Sequence, residues 1–288
     1  LGTAGSIKLA EDKIKDTFFV LSGDGLTDCD LTKAMAFHKE KKALATLVLK
    51  RVSVPLPYGV VMTEEDGRII RFVEKPDWSG VYSNLVNTGI YILEREVLDF
   101  IDNHEAVDFG KDLFPLLLKN KERLYGYEME GYWCDVGNTG AYLEAQMDML
   151  KGKVKLDFES GVHPDAVIEE NVHLQGKFYI GKGTVIGRGS IIKNAVIGEQ
   201  CRIGKGTVME DSCIWDKASV GIKARMNGSI LCDGASVGSL CQLSAGCVLG
   251  KGAAAGAHSS LMPGVKIWPG QRIPAGAVCG ENVETGNN

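Results

Sequence analysis

The 288 residues contain no apolar run near the eighteen or so that a membrane-spanning helix needs. Basic clusters are missing too: the longest basic run, Lys39 to Lys42, is broken by Glu40, and the formal net charge is -5. Such a balance exerts no general pull on polyanions, so neither nucleic acid nor an anionic membrane is an expected partner. Paired cysteine motifs are absent as well. Cys29, Cys134, Cys201, Cys213, Cys232, Cys241, Cys247 and Cys279 make no CxxC pair and no Cys/His cluster at metal-ligand spacing. They read as reduced, mostly buried small residues rather than as a disulfide framework or zinc site. With no charged-then-apolar leader, the expected location is the cytoplasm. The chain opens on Leu1, and LGTAGS has the texture of a protein interior, so a fragment or a processed chain is expected.

The composition, 44% hydrophobic and 24% charged, is that of an ordinary globular protein long enough for two domains. Two different patterns divide it. Over residues 1–155, strand-like runs (TFFVLSGD, ALATLVLKRV, RIIRFVEKP, LVNTGIYILE, LYGYEMEGYW) alternate with helical patterns (DLTKAMAFHKEKK, DFGKDLFPLLLKN, TGAYLEAQMDMLKG). This alternation predicts an α/β domain with a mostly parallel sheet covered on both faces. Ligands of such sheets bind beyond the carboxyl ends of the strands, where Asp24 of SGDGLTD falls.

Over residues 156–288 the period becomes six. Apolar residues recur from Val162, Ile168, Leu174, Ile180, Ile186 and Ile192 through Ile197, Ile203 and Met209, then Ile214, Val220 and Met226, and onward from Leu231 to Cys279. Each break of phase is one missing residue. Glycine often follows the apolar position (Gly181, Gly187, Gly204, Gly221), and a small residue often sits two before it (Thr184, Ser190, Ala195, Cys201). One short strand and one turn per hexad is the signature of a parallel β-helix, here of twenty-one hexads or seven three-sided coils. Its exposed rungs make a homo-oligomer the expected assembly.

Several motifs carry chemistry. Asp24 between Gly23 and Gly25 follows a strand, and by itself it reads equally as a turn. RFVEKP ends a strand in Glu74, Lys75 and Pro76, and alone it could be a solvated turn. YWCDVGN sets a second lone carboxylate, Asp135, at a strand end just before a helix, where it could equally be a cap. YGVV and NTGIY each place a glycine where backbone can approach a ligand closely, or simply turn.

Together and in this order, LGTAG, SGDGLTD, YGVV, FVEKP, NTGIY and YWCDVGN resemble the sugar-1-phosphate nucleotidyltransferase family, most of all the mannose-1-phosphate guanylyltransferases. Many members append a hexapeptide-repeat helix. The resemblance implies a Rossmann-like nucleotide-diphospho-sugar transferase fold followed by a left-handed β-helix. It implies that Asp24 and Asp135 hold Mg2+, that Lys75 contacts the sugar phosphate, and that Glu74 binds sugar hydroxyls. Gly59, Asn87 and Thr88 would line the sugar pocket, and Gly2 and Thr3 would face the base or ribose. A nucleoside triphosphate and a sugar 1-phosphate are the implied substrates. GTP with mannose 1-phosphate comes first, and thymidine or uridine triphosphate with glucose 1-phosphate comes next. The family's glycine-rich triphosphate loop, a GGxGTR-like run followed by a lysine, matches nothing here. The expectation is therefore an N-terminally incomplete domain that by itself turns over no nucleotide. Two other classes compete: a hexapeptide acyltransferase with His258 as base, and an inactive scaffold.

Overall fold

The computed structural model describes residues 1–102 and 106–284, which form two compact units, Leu1–Asp135 and Val136–Asn288. In the first, helix α1 (Gly2–Lys8) precedes strand β1 (Phe18–Leu21) and the short strand β2 (Gly25–Thr27). Helix α2 (Leu31–Lys41) begins where the sequence places it, with the Asp30 carboxylate accepting from the Lys33 N–H at 3.1 Å. Next come β3 (Ala45–Arg51), β4 (Val60–Thr63), β5 (Ile69–Val73), β6 (Leu85–Leu93), α3 (Phe114–Lys119), β7 (Leu124–Glu128) and β8 (Trp133–Asp135).

The main sheet runs β5-β4-β6-β3-β7, with β1 also paired to β6. It is mixed, not mostly parallel as the sequence suggested. Only β3 and β7 pair in parallel; β6 runs antiparallel to β1, β3 and β4. The reason lies in the connections. No crossover helix separates β3, β4, β5 and β6, and a parallel pair requires one. The β4–β5 hairpin turns instead through Gly67 at φ +90°.

Alternation along β3 and β6 supplies both faces of this sheet. Leu47, Leu49, Tyr91 and Leu93 join one apolar cluster with Phe109, Phe114 and Leu117. Val48, Ile90 and Ile92 join the other with Ala34 of α2 and Met129. The expected cover on both faces is therefore present. The segment DFGKDLFPLLLKN, however, is not one helix: Phe109–Leu113 forms a π-helical turn, and the α-helix proper starts at Phe114.

The second unit begins with helix α4 (Thr139–Leu150), capped by Asn138, whose side chain accepts from the Ala141 N–H at 2.9 Å. This helix packs on solenoid strands His173–Ile180 and Ile191–Ile197, so the second compact unit includes it and starts at Val136. The rest is a parallel β-solenoid. One of its faces stacks seven strands, with Val185 opposite Arg202 in a coil of 17 residues and Ala254 opposite Arg272 in a coil of 18. The shortfall falls at one corner, where Asn194, Asp211 and Gly228 take left-handed conformations in successive coils. These are the missing residues between Ile192 and Ile197, Met209 and Ile214, and Met226 and Leu231. From Ile180 to Ile273 the apolar position of each hexad points inward, and the small residues two before it are buried beside it, including Ala195, Cys201, Ala218 and Cys241. Glycine after the apolar position is dictated by stacking: a Cβ on Gly204 would lie 2.6 Å from the Gly221 carbonyl carbon in the next coil. Among the described residues, no helix is long and apolar enough to cross a membrane.

Candidate active site

Beyond the end of β1 the first unit opens a cavity of about 510 Å3, lined among others by Thr3, Asp24, Gly59, Glu74, Lys75, Asn87, Thr88 and Asp135. Eight of the nine residues singled out in the sequence thus converge on one hollow; Gly2 does not line it. At φ +68°, Gly2 sits against the backbone of Val107, where a Cβ would stand 2.6 Å from the carbonyl carbon. Its requirement for glycine comes from packing.

The two aspartates are brought together by a ribbon separate from the main sheet. β2 and β8 pair antiparallel with Gly25 opposite Asp135, which puts Asp24 one residue beyond the paired position. Asp28 braces the ribbon by accepting from the Tyr132 N–H at 2.6 Å, and the Thr27 hydroxyl donates to the Tyr132 carbonyl at 2.9 Å. Asp24 is exposed and accepts from the Ser22 hydroxyl. Ser22 is anchored in turn to Gly89 of β6 by a backbone bond of 2.9 Å. Gly89, at φ +77°, admits this approach, since a Cβ there would lie 2.9 Å from that of Ser22. Burial pushes the Asp135 carboxyl above its ordinary pKa, the nearby Asp24 charge adds to the rise, and Lys75 opposes it. No group of three or more His, Cys, Asp or Glu side chains able to hold a metal occurs among the described residues. A cation held by Asp24 and Asp135 would therefore find no third carboxylate, imidazole or thiolate ligand among the described residues.

Glu74 and Lys75 leave the end of β5 toward the same hollow. Lys75 is exposed, has no ion pair or side-chain hydrogen bond among the described residues, and sits at φ +43°. A left-handed residue just before proline is a costly conformation, and such strain collects at functional sites. It is held by the Lys75 N–H donating to the Tyr58 carbonyl at 3.2 Å. Glu74 is half-buried, and burial raises its pKa against the opposing charge of Lys75. Asn87 donates from Nδ2 to the Tyr91 hydroxyl at 2.9 Å and accepts from the Gly89 N–H at 3.1 Å, leaving one amide hydrogen for a ligand. The Thr88 hydroxyl is committed elsewhere, donating to the Val48 carbonyl at 2.8 Å, so Thr88 offers the cavity its backbone. The Trp133 indole donates to the Thr88 carbonyl at 3.2 Å and packs edge-on against Tyr58 with ring centroids 5.2 Å apart.

Asp108, Phe109 and Gly110 also line the cavity, and sequence reasoning missed them. Asp108 caps the π turn that contains Phe109 and Gly110, a form of helix that often marks functional sites but leaves no periodic signal. His258 lies in the other unit, exposed at a solenoid corner with φ +59°.

Two carboxylates, Asp24 and Asp135, and the exposed Lys75 thus line one cavity at the carboxyl end of a strand in an α/β domain. The sequence model described as nucleotidyl transferase matches residues 1–152, more than half of the chain, so the chain belongs to that family. Residues 162–261 match a second model, described as the EIF2B subunit epsilon LbH domain. The solenoid is thus similar to that domain over most of its coils. Among similar proteins, a UTP–glucose-1-phosphate uridylyltransferase of Synechocystis sp. is 38% identical over 216 residues, covering 70% of this chain and 56% of the relative. A mannose-1-phosphate guanylyltransferase of Mycobacterium tuberculosis is 33% identical over 205 residues, 68% of this chain and 56% of the relative. Mannose-1-phosphate guanylyltransferase 1 of Arabidopsis thaliana is 33% identical over 211 residues, 70% of this chain and 57% of the relative. The chain spans little more than half the length of these curated relatives.

Proposed function

We propose that this protein is a sugar-1-phosphate nucleotidyltransferase, with GTP and mannose 1-phosphate as its substrates and GDP-mannose and pyrophosphate as its products. The observation that carries the reading is the convergence of Asp24, Asp135, Lys75 and Glu74 on one cavity. A phosphate oxygen of the sugar 1-phosphate attacks the α-phosphorus of the triphosphate. The bond from that phosphorus to the pyrophosphate oxygen breaks in line, and no covalent enzyme intermediate forms. Catalysis of such a transfer rests on positioning and on charge neutralisation. Lys75 pairs with the sugar phosphate. Glu74 accepts from sugar hydroxyls, the free Asn87 amide hydrogen donates to the sugar, and Gly59 with the backbone at Thr88 forms the wall. Asp24 and Asp135 fit Mg2+, which when bound would neutralise phosphate charge; a hard cation takes one or two carboxylates and keeps phosphate oxygens and water for the rest. Thr3 stays at the rim of the cavity, on the side assigned to the base or ribose.

UTP or dTTP with glucose 1-phosphate is the second reading, favoured by the 38% identity to the Synechocystis relative named for uridylyl transfer. No GGxGTR-like run for gripping a triphosphate occurs in these 288 residues, so the chain alone is proposed to bind sugar 1-phosphate but to turn over no nucleotide. The proposal includes a cytoplasmic homo-oligomer assembled through the β-helix. The test is pyrophosphate release by the natural gene product with each triphosphate and sugar pair, in the presence and absence of Mg2+. Turnover with mannose 1-phosphate and GTP should dominate and fall at least 100-fold in Asp24→Asn, Asp135→Asn and Lys75→Ala, the scale on which charge-stabilising groups act. Activity surviving in all three variants would overturn the assignment.

A further inference from the structure

Glu74 is a half-buried carboxylate with no hydrogen bond or ion pair among the described residues, yet its position is tightly bounded. Two glycines close on it from opposite elements. A Cβ on Gly59, before β4, would lie 2.8 Å from Glu74 Oε2 and 2.7 Å from Phe72 Cζ. A Cβ on Gly110, in the π turn, would collide with the same oxygen and lie 2.9 Å from Glu74 Cδ; the three atoms nearest to it all belong to Glu74. Gly110 has an ordinary negative φ, so its backbone makes no demand for glycine. What excludes a side chain there is the carboxylate alone.

The π turn that carries Gly110 is strapped in place. The Asp108 carboxylate accepts from the Gly110 N–H at 2.9 Å and the Lys111 N–H at 3.2 Å, and its other oxygen accepts from the Thr3 hydroxyl at 2.9 Å. The Phe109 N–H donates to the same Thr3 hydroxyl at 3.0 Å, and the Ala4 and Gly5 N–H groups of α1 donate to the Val107 carbonyl at 2.9 and 3.1 Å. Beneath lies an aromatic floor, with Tyr91 and Phe109 centroids 4.8 Å apart and Tyr91 and Phe114 centroids 5.0 Å apart. α1, the π turn and the β4–β5 hairpin thus meet around one carboxylate.

We infer that Gly110, held by the Asp108–Thr3 strap, is a positioning residue that fixes Glu74 in the orientation selecting the sugar ring of the substrate. The inference rests on the proposed sugar-phosphate function of the cavity. A carboxylate left with free lone pairs and bounded on two sides by the backbone at Gly59 and Gly110 favours one orientation, and so discriminates among hydroxyl positions of a bound sugar. Any side chain at position 110 turns Glu74 aside and relaxes that discrimination while leaving Lys75 and the phosphate contact in place.

A double-mutant cycle tests it, read by calorimetric titration of the chain with mannose 1-phosphate, glucose 1-phosphate and inorganic phosphate in the presence of Mg2+. Gly110→Ala should weaken binding of the preferred sugar 1-phosphate at least tenfold and bring the two sugars within threefold of each other, with inorganic phosphate unchanged. In a Glu74→Ala background, which removes the collision and so also guards against misfolding, adding Gly110→Ala should change affinity less than twofold. Asp108→Asn, which keeps the shape but weakens the strap, should show the same loss in milder form. Equal losses from Gly110→Ala with and without Glu74 would overturn the positioning role, because the residue would then act independently of the carboxylate. Wild-type chain that binds neither sugar 1-phosphate would overturn the proposed function and this inference with it.

Discussion

His38, on α2, is only 1% exposed and is held between two polar partners. Its Nδ1 is 2.8 Å from the Thr46 hydroxyl and its Nε2 is 3.0 Å from Glu94, which also accepts from the Thr17 hydroxyl at 3.0 Å. A neutral ring donating from Nε2 and accepting at Nδ1 satisfies both. Burial lowers its pKa, and the Glu94 hydrogen bond only partly opposes this. The folded state therefore binds the proton less readily than the unfolded chain. Stability from this group is present in full above the ordinary histidine value near 6.5 and is lost as pH falls below it. Urea unfolding between about pH 5 and 8 should show that slope, and His38→Gln should flatten it; an identical slope in the variant would refute the assignment. At this scale Asp24, Glu74, Lys75 and Asp135 were legible as lone charged groups at strand ends, and the structure brings them to one cavity. Asp108 and Gly110 were not, because what brings them to the cavity is proximity to Glu74, 34 and 36 positions earlier in the chain, and the sequence carries no sign of it. Gly2, expected to face the base or ribose, packs against the Val107 backbone and does not line the cavity.

Between residue and molecule, the six-residue period was transparent because every hexad repeats the same burial problem, and the missing residues marked one corner. The mixed sheet was not transparent. A strand buried on both faces reads alike whether its neighbours are parallel or antiparallel, and only the absence of a helix between β3 and β6 carried the answer. The two faces of each solenoid strand make a direct prediction. Leu231 points inward, 0% exposed, stacked between Ile214 and Leu249, whereas Arg225 points outward from its strand. Leu231→Ala should cost about 2–5 kcal/mol by leaving a cavity in the stack. Arg225→Ala should stay within about 0.5 kcal/mol. Denaturant melts of both variants would show the contrast, and equal costs would mean the inward register is wrong.

For the whole molecule, the eight thiols report on one unit more than the other. Cys201, Cys213, Cys241 and Cys247 are buried, all within the solenoid, whereas Cys29, Cys134, Cys232 and Cys279 are half-buried. Burial pushes the Cys213 thiol up to about 12 and that of Cys201 to about 11, and the thiolate is the species that reacts. Their protection is thus doubled, by access and by ionisation. The native protein at neutral pH should take up no more than four equivalents of a maleimide, and the remaining four should react only as the coils separate. Because each coil touches only its neighbours, that opening is governed by the stack itself. The loss of protection along a denaturant series should therefore shift with Leu231→Ala and stay in place with Asp24→Asn, which lies in the other unit. Mass spectrometry of the labelled peptides decides it: rapid labelling of Cys213 in the native protein would contradict the packing described for the solenoid wall, and a shift with Asp24→Asn would show that the first unit controls the opening of the second.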